Sequence, residues 1–323
     1  MSANHRPRIA FFAGDPNGIG PELVAKLLSK PEVAERAAVR LIGDRTVMAG
    51  AERLTGAILR PDVAFEPLPG CGDEARTPGK ANAGAGAWVL AGLARCAALA
   101  SAGEADAIVF APLNKQALKL GGLTHPDEQH LFAELLDARG YTVELNVIDR
   151  LWTSRVTSHI PLKDVAQTIT AERVTDAVRV IDRGLKQGGL ARPRIGVAGL
   201  NPHAGEGGTL GREEIEVIGP GIEQAKAEGV DARGPFPADT IFVAAQRGEF
   251  DAVVTMYHDQ GQIAMKLMGF DRGVTVLGGL PVPITTCAHG TAYDIVGRNA
   301  ANPGPLANAF ALAIQMATRQ TAG

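Results

Sequence analysis

Apolar positions along the chain follow two alternating patterns: short continuous runs, and longer segments in which they recur every three or four residues. Continuous apolar runs predict buried strands, and the longer spacing predicts helices with one apolar face. Strands that alternate with helices in this way predict a mainly parallel, layered α/β fold. The predicted strands are Arg8–Ala13, Val39–Gly43, Ala107–Leu113, Val143–Val147, Ala252–Met256 and Gly273–Leu280, and the predicted helices are Gly84–Ala102, Leu131–Arg139, Thr170–Gln187, Glu213–Glu228 and Pro303–Thr318.

Three histidines follow short apolar runs. His159 lies in RVTSHIPL, His203 lies in RIGVAGLNPHAGE, and His258 follows the predicted strand Ala252–Met256. In open α/β sheets, the carboxyl ends of the strands form the edge where ligands bind. One such histidine is more often a hydrogen-bonded structural residue. Three in matching contexts favour a metal site, because neutral imidazole is a common ligand and three ligands leave a position for substrate.

Length, composition and charge narrow the class of protein. A chain of 323 residues with 46% hydrophobic residues can form one large or two ordinary domains with real cores. The formal net charge is −3, and no long Lys/Arg block occurs. Neither nucleic acid nor an anionic membrane is therefore expected as a partner.

Cysteine usage and the apolar stretches favour a cytoplasmic protein. Cys71, Cys96 and Cys287 are an odd set without C-x-x-C spacing, so no disulfide framework is expected. The polar start MSANHRPR shows no signal-peptide pattern. The longest apolar stretch, near 85–102, is interrupted by Arg95 and is predicted to be a buried helix.

Two glycine-rich segments are candidate ligand loops. In GDPNGIGPEL (14–23), Leu23 stands where a G-x-G-x-x-G fingerprint needs glycine, and no P-loop Gly-Lys-Ser/Thr follows. A tight turn is favoured there, although the N-terminus of the next helix could hold an anion. The segment HGTAYDIVGRNAANP (289–303) combines small residues with an aspartate that could bind a ribose diol and repel a 2′-phosphate. An ordinary turn fits that segment equally well.

Taken together, these motifs resemble the 4-hydroxythreonine-4-phosphate dehydrogenase (PdxA) family of vitamin B6 synthesis. They occur in the family's order and cover nearly the whole chain, and the pair NPHAGE and YHDQG is highly specific. The chain is therefore identified as a divergent member of that family. The matching segments are GDPNGIGPEL, APLNKQAL, VTSHIPLKDV, GLNPHAGEGG, GPFPADT, YHDQG, GFDRGV and HGTAYDIVGR.

The resemblance implies a two-domain, layered α/β/α fold of the isocitrate and isopropylmalate dehydrogenase type, with the active site in the cleft between the domains. That fold binds NAD without a Rossmann fingerprint, which explains the failed match at residues 14–23. The first domain is expected to comprise residues 1–125 and 275–323, including the NAD loop. The second is expected to comprise residues 126–274 and to carry the three histidines.

The resemblance also implies the cofactors and the assembly. His159, His203 and His258 are expected to bind one divalent metal (Zn, Mg, Mn or Co) in a site at a homodimer interface. NAD is the expected second cofactor. Its site is expected to be lined by His289, Gly290, Thr291, Ala292, Asp294 and Asn302.

The implied reaction oxidises a secondary alcohol β to a carboxylate, and the resulting β-keto acid then loses CO2. NAD takes the hydride, and the metal acts as a Lewis acid. Lys115, Asp239 and Asp259 are the candidates for proton transfer and for orienting ligands. For each of them alone, a structural salt bridge explains the residue equally well.

The expected substrate contacts depart from the family pattern. Glu128 and Gln129 lie in a segment, DEQH, that replaces the family's Gly-His-Thr-Glu. Lys266 matches a family lysine, but Thr275 replaces an asparagine and Ile284 replaces an arginine. Loss of a guanidinium removes a bidentate anion partner. We therefore expect poor turnover of 4-hydroxythreonine-4-phosphate and preference for a carboxylated substrate with a less charged distal end.

Other functions fit the same residues. Related branches oxidise the cis-dihydrodiol of terephthalate, or phosphorylated sugar acids such as 4-phospho-threonate and 4-phospho-erythronate. A non-catalytic ligand-binding homologue is a second alternative, and a metal-dependent lyase or hydrolase without NAD is a third. The retained histidines and Lys115 favour an enzyme, and Asp294 in its glycine loop favours a nucleotide cofactor.

Overall fold

A computed structural model describes residues 6–269 and 272–320. The first five residues, where no signal peptide is expected, and Phe270 and Asp271 of the GFDRGV motif lie outside the described residues. The chain divides into two compact units. The first comprises Met1–Arg139, Val274–Val276 and Leu280–Gly323, and the second comprises Gly140–Gly273 and Leu277–Gly279.

The first unit is built on a mostly parallel sheet. Its strands are β1 (Arg8–Phe12), β2 (Ala38–Gly43), β3 (Ala64–Pro67), β4 (Ala107–Phe110), β10 (Val274–Gly278, whose last residues belong to the second unit) and β11 (Ile284–Cys287). The strand order is β3-β2-β1-β4-β11-β10, and only the β10–β11 pair is antiparallel. The continuous apolar runs in β1 and β4 are buried, as expected for strands covered on both faces.

Seven helices accompany this sheet in the described part of the first unit. They are α1 (Gly20–Leu28), α2 (Glu32–Arg36), α3 (Arg45–Thr55), α4 (Ala83–Ser101), α5 (Lys115–Leu120), α6 (Glu128–Leu135) and α12 (Gly304–Gln320). Phe11 of β1, Leu23 of α1 and Leu306 of α12 are completely buried in one apolar core. Residues 126–139, which the sequence placed in the second domain, lie in this unit, and Phe132 of α6 stacks on Phe110 of β4 with ring centroids 6.0 Å apart.

Helix α4 is a core helix, as its interrupted apolar sequence predicts. It is long and apolar enough to cross a membrane by length and composition alone, but 56% of its most apolar window is buried inside the fold. Trp88 packs on Phe12 of β1 with ring centroids 5.3 Å apart. Side chains at Gly86 and Gly92 would overlap the backbone of α5 and the ring of Phe12, respectively. The helix is therefore fitted to its protein neighbours, in keeping with a soluble protein.

The second unit is also a mostly parallel sheet with helices. Its strands are β5 (Val143–Ile148), β6 (Leu151–Arg155), β7 (Ile195–Ala198), β8 (Ala232–Phe236) and β9 (Ala252–Thr255), in the order β5-β6-β9-β7-β8 with only β5–β6 antiparallel. Its helices are α7 (Val165–Thr168), α8 (Ala171–Gln187), α9 (Gly219–Ala227), α10 (Ala238–Gln246) and α11 (His258–Gly269), with short helical turns at Leu162–Asp164, Pro202–Gly208 and Glu214–Ile218.

The predicted mainly parallel α/β arrangement is confirmed, with local differences. Helix α8 begins where Thr170 caps it and buries the expected apolar face. The sequence missed β8 and β11, because the first contains glycine and proline and the second, ITTC, has two polar threonines in place of a continuous apolar run. His258, predicted at a strand end, instead begins α11.

Candidate active site

His159 and His258 approach each other at the ends of two neighbouring parallel strands. Strands β6 and β9 are in register to their last residues, and the pairing continues past them because the Val156 amide donates to the Thr255 carbonyl at 2.9 Å. The His159 and His258 rings follow these ends, with centroids 5.5 Å apart. The sheet edge therefore places two imidazoles side by side, as the sequence predicts for strand-end histidines.

Asp259 orients the second imidazole of this pair. Its Oδ1 lies 2.7 Å from Nδ1 of His258. A carboxylate bound to one ring nitrogen fixes the tautomer and leaves the other nitrogen for a metal, a common arrangement around ligating histidines. The donor set of two imidazoles and a supporting carboxylate thus suits a divalent metal such as zinc.

His203 lies in a left-handed turn. Residues 203–207 all have positive φ, including 52° at His203 and 43° at Glu206. The His203 side chain is 70% exposed, and its Nδ1 lies 3.6 Å from Oε2 of Glu206. Within the described ranges, no three His, Cys, Asp or Glu side chains form a group that could hold a metal. Within the described residues of one chain, His159 and His258 therefore lie together, and His203 does not join them in a group of three ligands.

Glu214 shapes the His203 turn. Oε1 of this buried carboxylate accepts hydrogen bonds from the backbone amides of Leu200 and Asn201 at 2.8 and 2.7 Å. Its second oxygen, Oε2, accepts a hydrogen bond from Nδ2 of Asn201 at 2.9 Å. A Cβ at Gly205 would come within 2.6 Å of that second oxygen. Several non-glycine residues with positive φ persist only where their surroundings fix them. Glu214 supplies that constraint, and no motif in the sequence marks this residue.

Arg155 supports the loop that carries His159. Its side chain is 4% exposed, and it donates to Glu144 at 2.5 Å, to Asn146 at 3.1 Å and to the hydroxyl of Ser158 at 2.9 Å. The Tyr141 hydroxyl donates to the Arg155 carbonyl at 3.1 Å, and burial raises the pKa of Tyr141 to about 12. Ser158, adjacent to His159, is therefore fixed by a buried ion pair. The clue in the sequence was a single arginine in RVTSHIPL.

The remaining predicted residues of the second unit are on its surface. Asp239 is exposed in the first turn of α10, and Lys266 is exposed in the last turn of α11. Gln260, next to Asp259, was not predicted as a site residue. It accepts the Met256 amide at 2.7 Å and donates to the Gly199 carbonyl at 2.9 Å, so it ties the end of β9 to the segment after β7.

Lys115 is exposed at the start of α5, where Asn114 caps the helix by accepting the Ala117 amide at 2.9 Å. Asp127 caps α6 and lies 2.6 Å from Nδ1 of His130. Burial alone would raise the pKa of Asp127, but hydrogen bonds from His130 and the charge of Lys115 lower it. The structure therefore brings Lys115 into electrostatic reach of Asp127, a relation that the sequence did not reveal.

The predicted substrate residues of the first unit differ in exposure. Glu128 is half-buried and Gln129 is 3% exposed. Thr275 of β10 is half-buried and pairs with Thr286 of β11. Ile284 is completely buried in β11. The expected apolar wall at Ile284 is therefore not an exposed surface of this unit.

The cofactor loop, residues 289–303, presents an exposed carboxylate beside open backbone. Asp294 is exposed in a short helical turn, Tyr293–Ile295. A Cβ at Gly290 or Gly297 would meet no atom within 4 Å, so a ligand could approach the backbone there. His289 is half-buried, Thr291 is buried and Asn302 is exposed, whereas Ala292 has a φ of 42°. These features suit a dinucleotide.

The glycine-rich turn at residues 14–23 uses its own donors internally. The amides of Asn17 and Gly18 donate to Asp15, and the amide of Ile19 donates to the Thr291 carbonyl at 3.0 Å. Few donors remain for an anion at the start of α1. The turn instead contacts the cofactor loop, a relation that the sequence did not reveal.

Comparison with known proteins identifies relatives over nearly the whole chain. The sequence profile of the family described as "Pyridoxal phosphate biosynthetic protein PdxA" matches residues 28–313. A Pseudomonas aeruginosa protein named "Putative 4-hydroxythreonine-4-phosphate dehydrogenase 2" is 49% identical over 98% of both chains. A "D-threonate 4-phosphate dehydrogenase" from Pectobacterium atrosepticum is 39% identical, covering 96% of this chain and 99% of its own.

Solved structures give the same result. The 4-hydroxythreonine-4-phosphate dehydrogenase of Klebsiella pneumoniae matches with a TM-score of 0.82 and 35% identity over 98% of this chain and 99% of its own. A terephthalate 1,2-cis-dihydrodiol dehydrogenase from Burkholderia xenovorans matches with a TM-score of 0.69 and 29% identity over 96% and 98%. A β-decarboxylating dehydrogenase from Thermococcus kodakarensis, at 17% identity and a TM-score of 0.52 over 94% and 82%, shares the fold.

These matches confirm the predicted fold type and the predicted enzyme class, an oxidoreductase acting on a hydroxyl group. Dehydrogenase relatives indicate a nicotinamide cofactor and a metal. By its sequence and its fold, the chain belongs to the PdxA family of dehydrogenases.

Proposed function

We propose that this dehydrogenase uses NAD and a divalent metal to oxidise a secondary alcohol β to a carboxylate, in a four-carbon acid phosphorylated at its far end, with loss of CO2. The observation that carries the proposal is the His159–His258 pair with Asp259 behind it, in a chain whose relatives are dehydrogenases of such acids. When bound, the metal would supply Lewis-acid stabilisation of the substrate oxygen.

The residues take the following proposed roles. His159, His203 and His258 hold the metal, and Asp259 fixes the tautomer of His258. Lys115 and Asp239 are the candidates to take the hydroxyl proton and to return a proton to carbon. Lys266 offers a cation to the anionic substrate, and Glu128, Gln129 and Thr275 border it. Asp294 accepts hydrogen bonds from the adenosine ribose.

We infer that two copies of the chain complete the metal site. One chain groups only two of the three histidines with each other. The second unit also exposes large apolar side chains that a partner could cover. Ile263 and Leu267 lie one helical turn apart on α11 and are 60% and 84% exposed, and Leu162 is 70% exposed. Exposed apolar clusters of this kind mark contact surfaces, so a homodimer with the site at its interface fits this unit.

Phosphorylated acids are expected to be the best substrates. The relatives are named for 4-hydroxythreonine-4-phosphate and D-threonate 4-phosphate, which differ at C2 but share the alcohol β to the carboxylate. We expect a kcat/KM for one of them at least about tenfold above that for a carboxylated cis-dihydrodiol, the value of one charged hydrogen bond to the phosphate. NADH formation with each compound, with and without added metal, measures this.

The opposite ranking would favour the dihydrodiol alternative. Ile284 was the reason to expect a less charged substrate, but its side chain is buried and gives that alternative little support. If protein that holds metal and binds NAD forms NADH from none of these compounds, the proposed reaction is wrong.

The proposed location is the cytoplasm. Its reducing environment would suit three buried free thiols, and it supplies a soluble pool of the cofactor.

NAD is expected to be preferred over NADP by at least about tenfold in kcat/KM, because the exposed Asp294 carboxylate would repel a 2′-phosphate. Asp294→Asn should lower the ratio of kcat/KM for NAD to kcat/KM for NADP, because it should raise the value for NADP. Asp73→Asn, which neutralises another exposed aspartate of the same unit, should leave the ratio unchanged. Equal kcat/KM values for the two cofactors in the unmodified enzyme would mean that Asp294 does not face the ribose.

A further inference from the structure

The far end of the cofactor loop is held by one ion pair of α1. The Lys26 ammonium donates to the carbonyls of Asn299 and Ala301 at 3.2 and 2.9 Å and to Oε1 of Glu22 at 2.6 Å. The same Oε1 accepts the Ala301 amide at 2.9 Å. All three protons of the ammonium thus have acceptors. The Glu22 side chain is only 3% exposed, so this is a largely buried connection between residues far apart in the sequence.

The near end of the loop is held by the glycine-rich turn before α1. The Tyr293 hydroxyl donates to Oδ2 of Asp15 at 2.6 Å. Asp15 is completely buried, and burial raises its pKa. Next to it, the Ile19 amide donates to the Thr291 carbonyl at 3.0 Å, and a Cβ at Gly18 would come within 2.8 Å of Thr291. The turn therefore contacts the loop backbone closely.

These contacts coincide with the strained positions of the loop. Ala292 and Asn299 have φ values of 42° and 54°, in the left-handed region, which alanine rarely adopts and asparagine adopts more readily. Ala292 lies between the two residues held by the turn, and Asn299 is itself an acceptor of Lys26. Such strain persists only where the surroundings over-determine the backbone. Without these contacts, the loop would populate other conformations.

We propose that Glu22 and Lys26 are positioning residues for the nicotinamide cofactor: they hold the cofactor loop in its binding conformation and thereby set the affinity for NAD without touching it. The inference rests on the proposed function of residues 289–303 as the NAD loop. Apparent affinity falls in proportion to the fraction of molecules in the competent state. The contacts are made within the first unit and use none of the proposed metal ligands, so the chemical step should be spared once NAD is bound.

Lys26→Met tests this, because it keeps the alkyl stem and removes the three hydrogen bonds. If one molecule in ten keeps the competent loop, the Kd for NAD rises about tenfold, and kcat at saturating NAD stays within about twofold of the unmodified enzyme. Amide hydrogen exchange in residues 289–303 should accelerate without NAD present. The Kd is measured by calorimetric titration, so this readout does not depend on turnover.

Lys186→Met is the matched control. Lys186 also pairs with a largely buried carboxylate one helical turn away, Asp182 at 2.7 Å, but in α8 of the second unit. Lys186→Met should leave both the Kd for NAD and the amide hydrogen exchange of residues 289–303 unchanged. If Lys26→Met does not fold, Glu22→Gln removes the charge of the other member of the same ion pair and is read by the same two measurements.

The outcomes separate the two ideas. If the unmodified enzyme binds NAD and Lys26→Met changes neither its Kd nor the exchange, the positioning role is wrong and the proposed function stands. If kcat falls as much as the affinity, Lys26 acts on the chemical step, which also overturns the inference. If the unmodified, metal-loaded enzyme binds no NAD, the proposed function fails and the inference fails with it.

Discussion

Removal of the divalent metal is expected to lower kcat by at least about a thousandfold, because Lewis-acid stabilisation of a developing charge contributes several kcal/mol. His203→Ala is expected to reduce the metal content of the purified protein to background and to lose activity to the same extent. Elemental analysis after dialysis gives the first result, and NADH formation with and without a chelator gives the second.

His125→Ala is the control for this experiment. His125 also pairs with a carboxylate, since its Nε2 lies 2.8 Å from Oε2 of Glu134, but it belongs to the first unit. It should keep both metal and activity. Full activity in a sample shown to be metal-free would refute the site.

The shared site can be tested with all three histidines in place. Leu267→Asp puts a charge on the most exposed large apolar side chain of α11. If two copies complete the site, this variant should sediment as a monomer and bind less metal. A monomer that retains a full complement of metal would show that one chain supplies all the ligands.

Arg155→Met is expected to destabilise the protein by about 3–5 kcal/mol, the usual cost of removing one partner from a buried ion pair. Arg155 is 4% exposed, and its partner Glu144 has a side chain that is 17% exposed. Methionine fills part of the space but leaves the Glu144 charge without its guanidinium. Urea unfolding, read as the change in midpoint at constant slope, measures the loss.

Arg194→Met is the matched control, because Arg194 also pairs with a carboxylate, Asp251, at 3.0 and 2.8 Å but is 42% exposed. Water screens an exposed pair, so its loss should be much smaller. If the two variants lose the same free energy of unfolding, burial does not determine how much each ion pair stabilises the protein. Because Ser158 beside His159 is bound to Arg155, Arg155→Met should also weaken metal binding, whereas Arg194→Met should not.

Continuous apolar runs were sufficient to predict most of the sheet, since β1, β4 and β9 are buried on both faces and have no polar alternation to confuse them. The strand-end pairing of His159 and His258 followed from the same reasoning. The left-handed turn at His203 did not, because it depends on Glu214, whose contact lies several residues further along the chain.

Alignment to a family pattern predicts which residue occupies a position but not whether it is exposed. Ile284 and Gln129 illustrate this, since both are buried inside the first unit. The contacts of Glu22 and Lys26 with residues 299 and 301 were likewise invisible, because they join positions more than 270 residues apart. The sequence favoured a tight turn at residues 14–23, but it did not reveal that the amides of Asn17, Gly18 and Ile19 are hydrogen-bonded within the protein.

Helix α4 limits how this enzyme can be engineered. Replacing helical glycine by alanine commonly stabilises a protein by about 0.4–1 kcal/mol, and α4 offers several such glycines. At Gly86 and Gly92 that route is closed, because a methyl group would displace α5 or Phe12. Since α5 begins with Lys115, a change made to raise the melting temperature would move a candidate proton donor. The glycine of α8 is constrained in the same way, because a Cβ at Gly184 would come within 2.9 Å of Leu145 and 3.1 Å of Trp152.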